Sequence, residues 1–471
     1  MRIRALACVV ALIVGATVAT RAQAPTPADL ETRIDAVVAD VLAKTHVPSV
    51  IVGVVQRGAV TFTKAYGRAR LDPALPARVD MRYPVGSISK QFTAACVLLL
   101  QQDGRLSIDD PVGKYFPELT RSGEVTIRHL LSHTSGYQDY APQDYTIPAW
   151  TKPTTPEAII HEWAMKPLDF EPGAEYQYSN TNFNIAGLIV QLVSRQPFWT
   201  FLSTRVLQPL GMSMTIDLDA EHGKVEAVGY MRNAFGPLRP ARIEAPGWYF
   251  ADGEMAMPVG DLLRWDISLM NQSLLAPASY VAMETDQRLS TGQTARYGLG
   301  VSVSTRDGRR VVSHGGEVGG FVAQNVVYPD DKVAVAVLTN QEASSAAGTV
   351  ARAVAAMVLP PPVVATPAAD TAKAEAQAKA ILTGLQKGAI DRALFTANGN
   401  FYFDAVAIGD FQSSLGPLGA VQSVTQRATS LRGGMRYRAF TVTFANGAHG
   451  ELSTYTTRDG LLEQFLLDAA N

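Results

Sequence analysis

Hydrophobic and polar positions change their spacing several times along the chain, and each change marks a predicted element. Residues 49–55 and 59–64 are β-rich runs separated by Arg57 and Gly58, which predicts a β-hairpin. Apolar side chains then recur at helical spacing, at Ile88, Phe92, Cys96 and Leu99. Because Gly104 is a typical C-terminal stop, the pattern predicts one helix that starts at Ser87.

The middle of the chain favours helices, and the region after it favours strands. Residues 106–287 mix short helical patterns, including an amphipathic helix at 181–194, with loops rich in Pro and Gly, which indicates a helical insertion. Turn residues then separate β-rich runs at 297–304, 310–313, 321–328 and 333–338. These runs predict antiparallel strands with short turns, and a helix is expected after them at 343–358.

A proline-rich stretch predicts a boundary between a large domain and a small one. Residues 359–369 contain four prolines, which stiffen the backbone and remove hydrogen-bond donors, so they are interpreted as a linker. Residues 370–471 open with a helix to about Lys387, followed by predicted strands at 421–429, 435–444, 451–457 and 461–467. This small α+β domain faintly resembles domains of the nuclear-transport-factor-like type.

Composition and charge narrow the class of protein. The 471 residues are 47% hydrophobic and 18% charged, with a formal net charge of −2, which is typical of a globular protein with ample core. The chain has no Lys/Arg cluster of the kind that neutralises phosphates, so nucleic acid is not an expected partner. A small-molecule ester or a short peptide is the expected partner. The sequence leaves the oligomeric state open.

The N-terminus predicts export. Residues 1–4 are basic, residues 5–19 are apolar, and Ala22-Gln23-Ala24 offers small residues at a cleavage site, so residues 1–24 are interpreted as a signal peptide. The apolar run is shorter than the ~20 residues that span a bilayer, so no integral membrane span is expected after cleavage. The mature protein should be periplasmic or secreted. Its one remaining cysteine, Cys96, cannot form an internal disulfide and is expected to be buried.

Three short motifs carry the candidate chemistry. Ser87 and Lys90 stand at i and i+3, which places hydroxyl and amine on one helical face near the positive end of the helix dipole. Alone this motif is weak, because S-x-x-K occurs by chance about once in a chain of this length. Two motifs that each occur once follow it in the chain, Tyr178-Ser179-Asn180 and His314-Gly315-Gly316. The second is expected to end a strand, where glycine lets a substrate backbone approach closely.

With their surroundings, these motifs resemble the serine β-lactamase and penicillin-binding-protein superfamily in its class-C-like branch, which includes D-alanyl-D-alanine carboxypeptidases, D-aminopeptidases and esterases. The supporting segments read YPVGS at 83–87, VTIRHLLSHTSGY at 125–137, FEPG at 170–173, PLGM at 209–212 and HGGEVGGF at 314–321. The resemblance implies an α/β (α+β) fold over residues 25–358, in which helices flank an antiparallel sheet. It places the active site in a cleft beside a helical subdomain.

The resemblance also implies roles for individual residues. Ser87 would be the acylated nucleophile, Lys90 would help to deprotonate it, and Tyr178 would protonate the leaving group. The backbone N–H groups of Ser87 and Glu317 would form the oxyanion hole, and Asn180 would hold the substrate amide. The sequence leaves open which of Lys90 and Tyr178 takes the proton.

The chain departs from the resemblance where substrate is selected. His314, with Gly315 and Gly316, should contact the substrate, but true β-lactamases usually have lysine at the position of His314. An imidazole there predicts that carboxylate recognition weakens as pH rises from about 6 to 8. Asp252 and Glu254 stand where the family has a Gly-Gly turn. The sequence leaves open whether their side chains face solvent or substrate.

Other candidate sites are weaker. His129 and His133 have the spacing of a zinc pair, but the motif lacks the glutamate of H-E-x-x-H, so no metal and no cofactor is expected. Aromatic residues at 248–250 could line a pocket, although core positions are commoner for them. The predicted function is a secreted serine hydrolase acting on an ester or a D-amino-acid-containing amide. A true β-lactamase and a non-catalytic peptidoglycan-binding or ligand-binding scaffold are the alternatives, and the intact motifs disfavour the scaffold.

Overall fold

The structure is a computed structural model that describes residues 27–143, 146–233, 236–359, 369–432 and 435–469. The chain divides into two compact units, the first ending at residue 362 and the second beginning at residue 363. The predicted signal peptide and most of the predicted linker lie outside the described residues. Within the described ranges, no helix is both long enough and apolar enough to cross a membrane.

The first unit combines one large sheet with helices and small sheets. Its helices are α1 (Pro27–Thr45), α2 (Ser89–Gln102), α3 (Ile127–Leu131), α4 (Pro156–Trp163), α5 (Asn180–Ser194), α6 (Phe198–Leu202), α7 (Leu218–Glu221), α8 (Val259–Asn271), α9 (Pro277–Glu284) and α10 (Ala346–Val358). Its strands are β1 (Ser49–Gln56), β2 (Ala59–Arg70), β3 (Leu75–Pro76), β4 (Tyr83–Pro84), β5 (Ile216–Asp217), β6 (Tyr230–Met231), β7 (Arg239–Pro240), β8 (Met255–Met257), β9 (Ser302–Arg306), β10 (Arg309–Val318), β11 (Phe321–Tyr328) and β12 (Val333–Thr339). The predicted fold class, helices around an antiparallel sheet, is confirmed.

The large sheet separates two hydrophobic cores. Its strand order is β3-β2-β1-β12-β11-β10-β9, with antiparallel pairing throughout. In β1 alternate side chains point to opposite faces, so Val52 packs with α1 and α10 whereas Ile51 joins the core that contains α2 and α8. Because helices cover both faces, β1 is a continuous hydrophobic run.

Helix α2 begins later than its sequence pattern predicts. A 3₁₀ turn spans Gly86–Ile88, and the α-helix starts at Ser89, so Ser87 lies in the turn that leads into the helix. Gly86 has φ +50°, a conformation that a residue with a Cβ rarely adopts. Residues 89–100 are all buried, which is the burial pattern of a helix that passes through a core.

Two predicted strand boundaries near the cleft are wrong. The strand expected at 297–304 begins only at Ser302, because Gly300 turns with φ +73° and packs against α2, where a Cβ would lie 2.6 Å from the carbonyl oxygen of Lys90. Strand β10 continues to Val318, so His314 and the two glycines after it lie within the strand and do not end it.

The second unit packs helices on a four-stranded antiparallel sheet. Its helices are α11 (Ala369–Leu385), α12 (Ala397–Tyr402) and α13 (Ala405–Leu415), and its strands are β13 (Val421–Arg432), β14 (Met435–Phe444), β15 (His449–Thr456) and β16 (Leu462–Ala469), in sequential order. The alternation of Phe440, Val442 and Phe444 places these side chains in the core, as the period-2 pattern predicts. Helices α12 and α13 were not predicted, although Ile408, Phe411 and Leu415 stand at helical spacing in α13 and pack on the core.

A buried hydrogen-bond network connects α2, α8 and β11. The Asn325 side chain donates a hydrogen bond to Asp266 Oδ1 at 2.5 Å, and Gln91 donates to Asn325 at 3.3 Å. The indole N–H of Trp265 donates to Gln91 at 2.9 Å. Asp266 Oδ2 has no partner among the described residues, and burial raises the pKa of Asp266 to about 8. The carboxyl group is therefore protonated in the folded protein at neutral pH.

This protonation makes stability depend on pH. Between about pH 4 and pH 8 the unfolded chain has lost a proton that folded Asp266 retains, so the stability of the first unit falls as pH rises. Asp266→Asn removes that dependence and keeps an acceptor for Asn325. We expect the melting temperature of the variant to rise relative to that of wild type between pH 5 and pH 8. The difference between their free energies of unfolding should grow by about 1.4 kcal/mol per pH unit.

Calorimetry of the full chain at both pH values measures this difference. Exposed Asp307 offers a matched control, because Asp307→Asn removes one carboxylate without changing a buried group. A constant difference between wild type and Asp266→Asn across the range would contradict a buried, protonated carboxyl group.

Candidate active site

Two glycines bring the turn that carries Ser87 against strand β10. A Cβ on Gly316 would lie 1.8 Å from the carbonyl oxygen of Val85 and 2.9 Å from the backbone nitrogen of Ser87. A Cβ on Gly86 would lie 2.7 Å from the backbone nitrogen of Glu317. Gly316 therefore lets the nucleophile turn approach the strand, whereas the sequence suggested an approach by substrate. As a result, the amides of Ser87 and Glu317 lie close together.

Lys90 is fully buried and makes three hydrogen bonds. Its Nζ donates to Asn180 Oδ1 at 2.7 Å and to the backbone oxygen of Asp252 at 2.9 Å, and it lies 3.0 Å from Ser87 Oγ. Burial lowers the pKa of Lys90 to about 8, although the nearby carboxylates of Asp252 and Asp139 oppose the shift. The amine thus titrates close to physiological pH.

Two carboxyl groups, of Asp252 and Asp139, lie beside this lysine. Asp252 Oδ2 lies 3.8 Å from Lys90 Nζ and accepts a hydrogen bond from the Tyr140 hydroxyl at 3.0 Å. Burial raises the pKa of Asp252 to about 7 against the influence of Lys90. Asp139 accepts hydrogen bonds from the backbone and side-chain nitrogens of Asn180, which orients the Asn180 oxygen toward Lys90. Asp252 and Glu254 are both buried, so a solvent-facing position is wrong for either.

Tyr178 lies beside the lysine with its hydroxyl oxygen buried. Lys90 Nζ is 5.0 Å from the centre of the Tyr178 ring, and the ring of His133 lies 4.2 Å away on a tilted plane. The hydroxyl makes no hydrogen bond of standard geometry with any described residue. Burial raises the pKa of Tyr178, and Asp252 and Asp139 add to the shift although Ser87 opposes it. Tyr178 therefore remains protonated at neutral pH.

His314 is neutral and fully engaged. Its Nδ1 lies 2.5 Å from the carbonyl oxygen of Gly315, which can only accept, so Nδ1 carries the proton. Its Nε2 then accepts from the Tyr297 hydroxyl at 2.7 Å. Burial lowers the pKa of His314 to about 4, and Lys90 contributes. The predicted imidazolium that reads a carboxylate between pH 6 and 8 is therefore wrong.

A cavity of about 760 Å³ opens in front of these groups. Of the residues that the sequence singled out, the cavity is lined by Ser87, Tyr178, Asn180, His314, Gly315, Gly316, Glu317, Trp248, Tyr249 and Asp252. Lys90 lies behind Ser87, and Phe250 packs against Phe198. The described residues offer no cluster of three metal-ligating side chains, and the His133 Nδ1 is occupied by the Ser179 N–H at 3.1 Å.

Several residues of the site carry no signal in the sequence. Asp139 and Tyr140 follow the 125–137 segment but belong to no motif that sequence reasoning recognised. Tyr297, whose hydroxyl lies 2.7 Å from His314 Nε2, lies in a stretch predicted as a strand. His133, which the sequence placed in a turn beside the cleft rather than at a metal, stacks on Tyr178. The one available signal was position, since Asp139 and Tyr140 directly follow a segment that carried the resemblance.

Comparison with known proteins shows what this chain is similar to. A model of the family described as Beta-lactamase matches residues 34–358. Penicillin-binding protein 4* of Bacillus subtilis (strain 168) is 28% identical over 302 residues, which cover 60% of this chain and 66% of the relative, just under two thirds of its length.

Solved structures share the fold. A D-stereospecific amidohydrolase from a Streptomyces species is 28% identical, with a TM-score of 0.58, over 69% of this chain and 97% of that chain. The octameric penicillin-binding protein homologue from Pyrococcus abyssi is 22% identical, with a TM-score of 0.61, over 93% of this chain and 99% of that chain. The second likeness supports the fold alone and extends beyond residue 358.

The close approach at Gly316 generates a prediction. Gly316→Ala must displace the Ser87 turn from β10, which separates the two amides. We expect labelling of the protein by a small fluorophosphonate to slow at least about 100-fold, the typical cost of losing an oxyanion-hole donor. Gly315→Ala is the steric control, because its nearest neighbour lies 3.6 Å away, an ordinary contact. Intact-mass analysis over time measures the labelling rate of each folded variant. Equal rates for the two variants would contradict the proposed packing role of Gly316.

Proposed function

Because the chain belongs to the beta-lactamase family, we propose that it is a secreted serine hydrolase that forms an acyl-enzyme on Ser87. The observation that carries the proposal is the 3.0 Å contact between Lys90 Nζ and Ser87 Oγ beside two adjacent backbone amides. A nucleophile, a base and an electrostatic site for an oxyanion are thereby combined at one end of a cavity.

Lys90 is the base in this proposal. The Asn180 oxygen and the Asp252 backbone oxygen can only accept hydrogen bonds. A neutral Lys90 must therefore direct both of its N–H bonds to them, and its lone pair then points at the Ser87 hydroxyl. Tyr178 has a raised pKa and no hydrogen bond of standard geometry to Ser87, so it is the weaker candidate.

The steps of acylation follow from these positions. The Ser87 hydroxyl gives its proton to Lys90 as Oγ bonds to the substrate carbonyl carbon, and the amides of Ser87 and Glu317 stabilise the negative oxygen. When the bond to the leaving group breaks, Tyr178 protonates that group and recovers a proton from Lys90. Water then attacks the acyl-enzyme by the same route in reverse, which releases an acid and frees Ser87.

The substrate class is an ester or an amide that contains a D-amino acid. The D-stereospecific amidohydrolase at 28% identity supports the amide, and the cavity admits a small acyl group. A β-lactamase activity is less well supported, because His314 supplies no cation for the carboxylate of a β-lactam. Asn180 contributes by orienting Lys90, in addition to any contact with the substrate amide.

Export and domain organisation complete the proposal. The basic start, apolar run and small residues of positions 1–24 support a cleaved signal peptide and a periplasmic or secreted enzyme. The described residues that surround Ser87, from Asp139 to Glu342, all precede residue 359. We therefore assign catalysis to residues 25–358 and regard 359–369 as a linker to a separate domain at 370–471.

The pH dependence of acylation tests the base. If neutral Lys90 deprotonates Ser87, the rate of labelling by a neutral fluorophosphonate should rise about ten-fold per pH unit below pH 8 and level off above it. Ser87→Ala should abolish labelling, which intact-mass analysis of the purified protein detects.

A second variant separates the two candidate bases. Tyr178→Phe removes the phenol but not the lysine, so the inflection near pH 8 should persist although the release of poor leaving groups slows. If the inflection vanishes in Tyr178→Phe, or if Ser87→Ala still gains one adduct, the proposed roles are wrong.

A further inference from the structure

The cavity in front of Ser87 is lined by carboxylates. Acidic side chains reach it at Asp139, Glu244, Asp252, Glu317 and Glu342, and the described lining residues include neither lysine nor arginine. Its histidine, at position 314, is neutral because burial, with a contribution from Lys90, lowers its pKa to about 4. The ionisable side chains of the described lining are therefore mainly acidic, although burial raises the pKa values of Asp252 and Glu342 to about 7.

These carboxylates form two groups with different surroundings. Asp139 and Asp252 lie beside Lys90 and contribute to its charge balance. The three glutamates lie together near the Val318 end of β10, where Glu317 and Glu244 both influence the pKa of Glu342. A Cβ on Gly319 would lie 3.6 Å from Glu244 Oε2. The second group is not among the charges that shift the pKa of Lys90.

Hydrogen bonds hold two of the three glutamates in place. Glu244 accepts hydrogen bonds from the Tyr249 hydroxyl at 2.8 Å and from Thr146 at 3.1 Å. Glu317 Oε1 accepts from the backbone N–H of Ala343 at 2.6 Å. Glu342 is half-buried, and within the described residues its carboxylate has no hydrogen-bond or ion-pair partner. Burial, together with Glu317 and Glu244, raises the pKa of Glu342 to about 7.

Strand β10 gives the cavity a direction. Its His314 end faces Tyr178, with ring centres 6.3 Å apart, and Tyr178 protonates the leaving group in the proposed mechanism. The end of the strand at Val318, next to Gly319, faces the glutamates. A substrate whose carbonyl oxygen lies at the Ser87 and Glu317 amides thus extends its leaving group toward Tyr178 and its acyl group toward the glutamates.

We propose that the glutamates at 244, 317 and 342 bind a positively charged nitrogen on the acyl group of the substrate, so that the enzyme prefers aminoacyl esters or amides with a free amine. The inference rests on the proposed acyl-enzyme function and names the substrate class for that site. An ammonium placed among three carboxylates relieves their mutual repulsion, whereas a carboxylate there adds to it.

A charge-matched substrate series tests the preference. The substrates are glycyl, β-alanyl and 6-aminohexanoyl p-nitroanilides, each paired with the hydroxyacyl p-nitroanilide of the same length, and succinyl p-nitroanilide supplies a negative charge. At pH 7 we expect the best aminoacyl substrate to exceed its hydroxyacyl partner in kcat/KM by about ten-fold or more, with the succinyl compound slowest. Varying the chain length locates the nitrogen relative to the carbonyl.

Variants identify the glutamates as the source of the preference. Glu342→Gln should reduce the amino-to-hydroxy ratio at the best length, because it removes a carboxylate that has no structural hydrogen bond to lose. Glu118→Gln is the matched control, since Glu118 is exposed and does not line the cavity. It should leave the ratio unchanged.

Labelling by a neutral fluorophosphonate separates this inference from the proposed function. If Ser87 is labelled but hydroxyacyl substrates equal or exceed aminoacyl substrates at every length, the charge preference is overturned and the acyl-enzyme function stands. The same holds if Glu342→Gln and Glu118→Gln give identical ratios. If Ser87 takes no label and no substrate is turned over, the acyl-enzyme function fails and this inference fails with it.

Discussion

The burial of the Lys90 amine beside Ser87 is the interaction on which the rest of the site depends. Removing an ammonium from water costs several kcal/mol unless hydrogen bonds and opposite charges replace the solvent. The protein supplies acceptors from distant segments, at the start of α5 with Asn180 and in the loop before β8 with Asp252. Because those acceptors cannot donate, they also determine where the lone pair of the neutral amine points. The same contacts therefore stabilise the buried lysine and direct it at the nucleophile.

Close backbone approaches hold this arrangement together. Gly86 and Gly316 allow the nucleophile turn to lie against β10, and Gly300 allows the segment before β9 to lie against α2 at Lys90. At each of these glycines an added Cβ would collide with backbone atoms. Backbone cannot move aside as a flexible side chain can. The nucleophile turn and the base are thus located by packing between main chains, so the positions of Ser87 and Lys90 depend little on the rotamers of neighbouring residues.

The sequence predicted what local spacing or a known motif encodes, and missed what arises from long-range packing. The Ser87 and Lys90 pair follows from helical spacing, and β1 follows from its continuous run of β-branched hydrophobic residues. Helix α2 starts two residues late because Gly86 imposes a 3₁₀ turn, a backbone detail that periodicity does not contain. Burial of Asp252 also had no sequence signal, since its neighbours Tyr140 and Lys90 are more than 100 residues away.

The histidine at position 314 and the choice of base are linked through electrostatics. A permanent cation there would lower the pKa of Lys90, just as Lys90 lowers that of His314, because the interaction between two like charges is mutual. It would also lower the pKa of Tyr178, whose ring centre lies 6.3 Å from that of His314. With a neutral imidazole in that place, burial lowers the pKa of Lys90 only to about 8 because Asp252 and Asp139 oppose it, and the same two groups add to the burial that raises the pKa of Tyr178. Lysine then titrates near neutrality while tyrosine stays protonated, so the residue that departs from the β-lactamase pattern also favours Lys90 as the base.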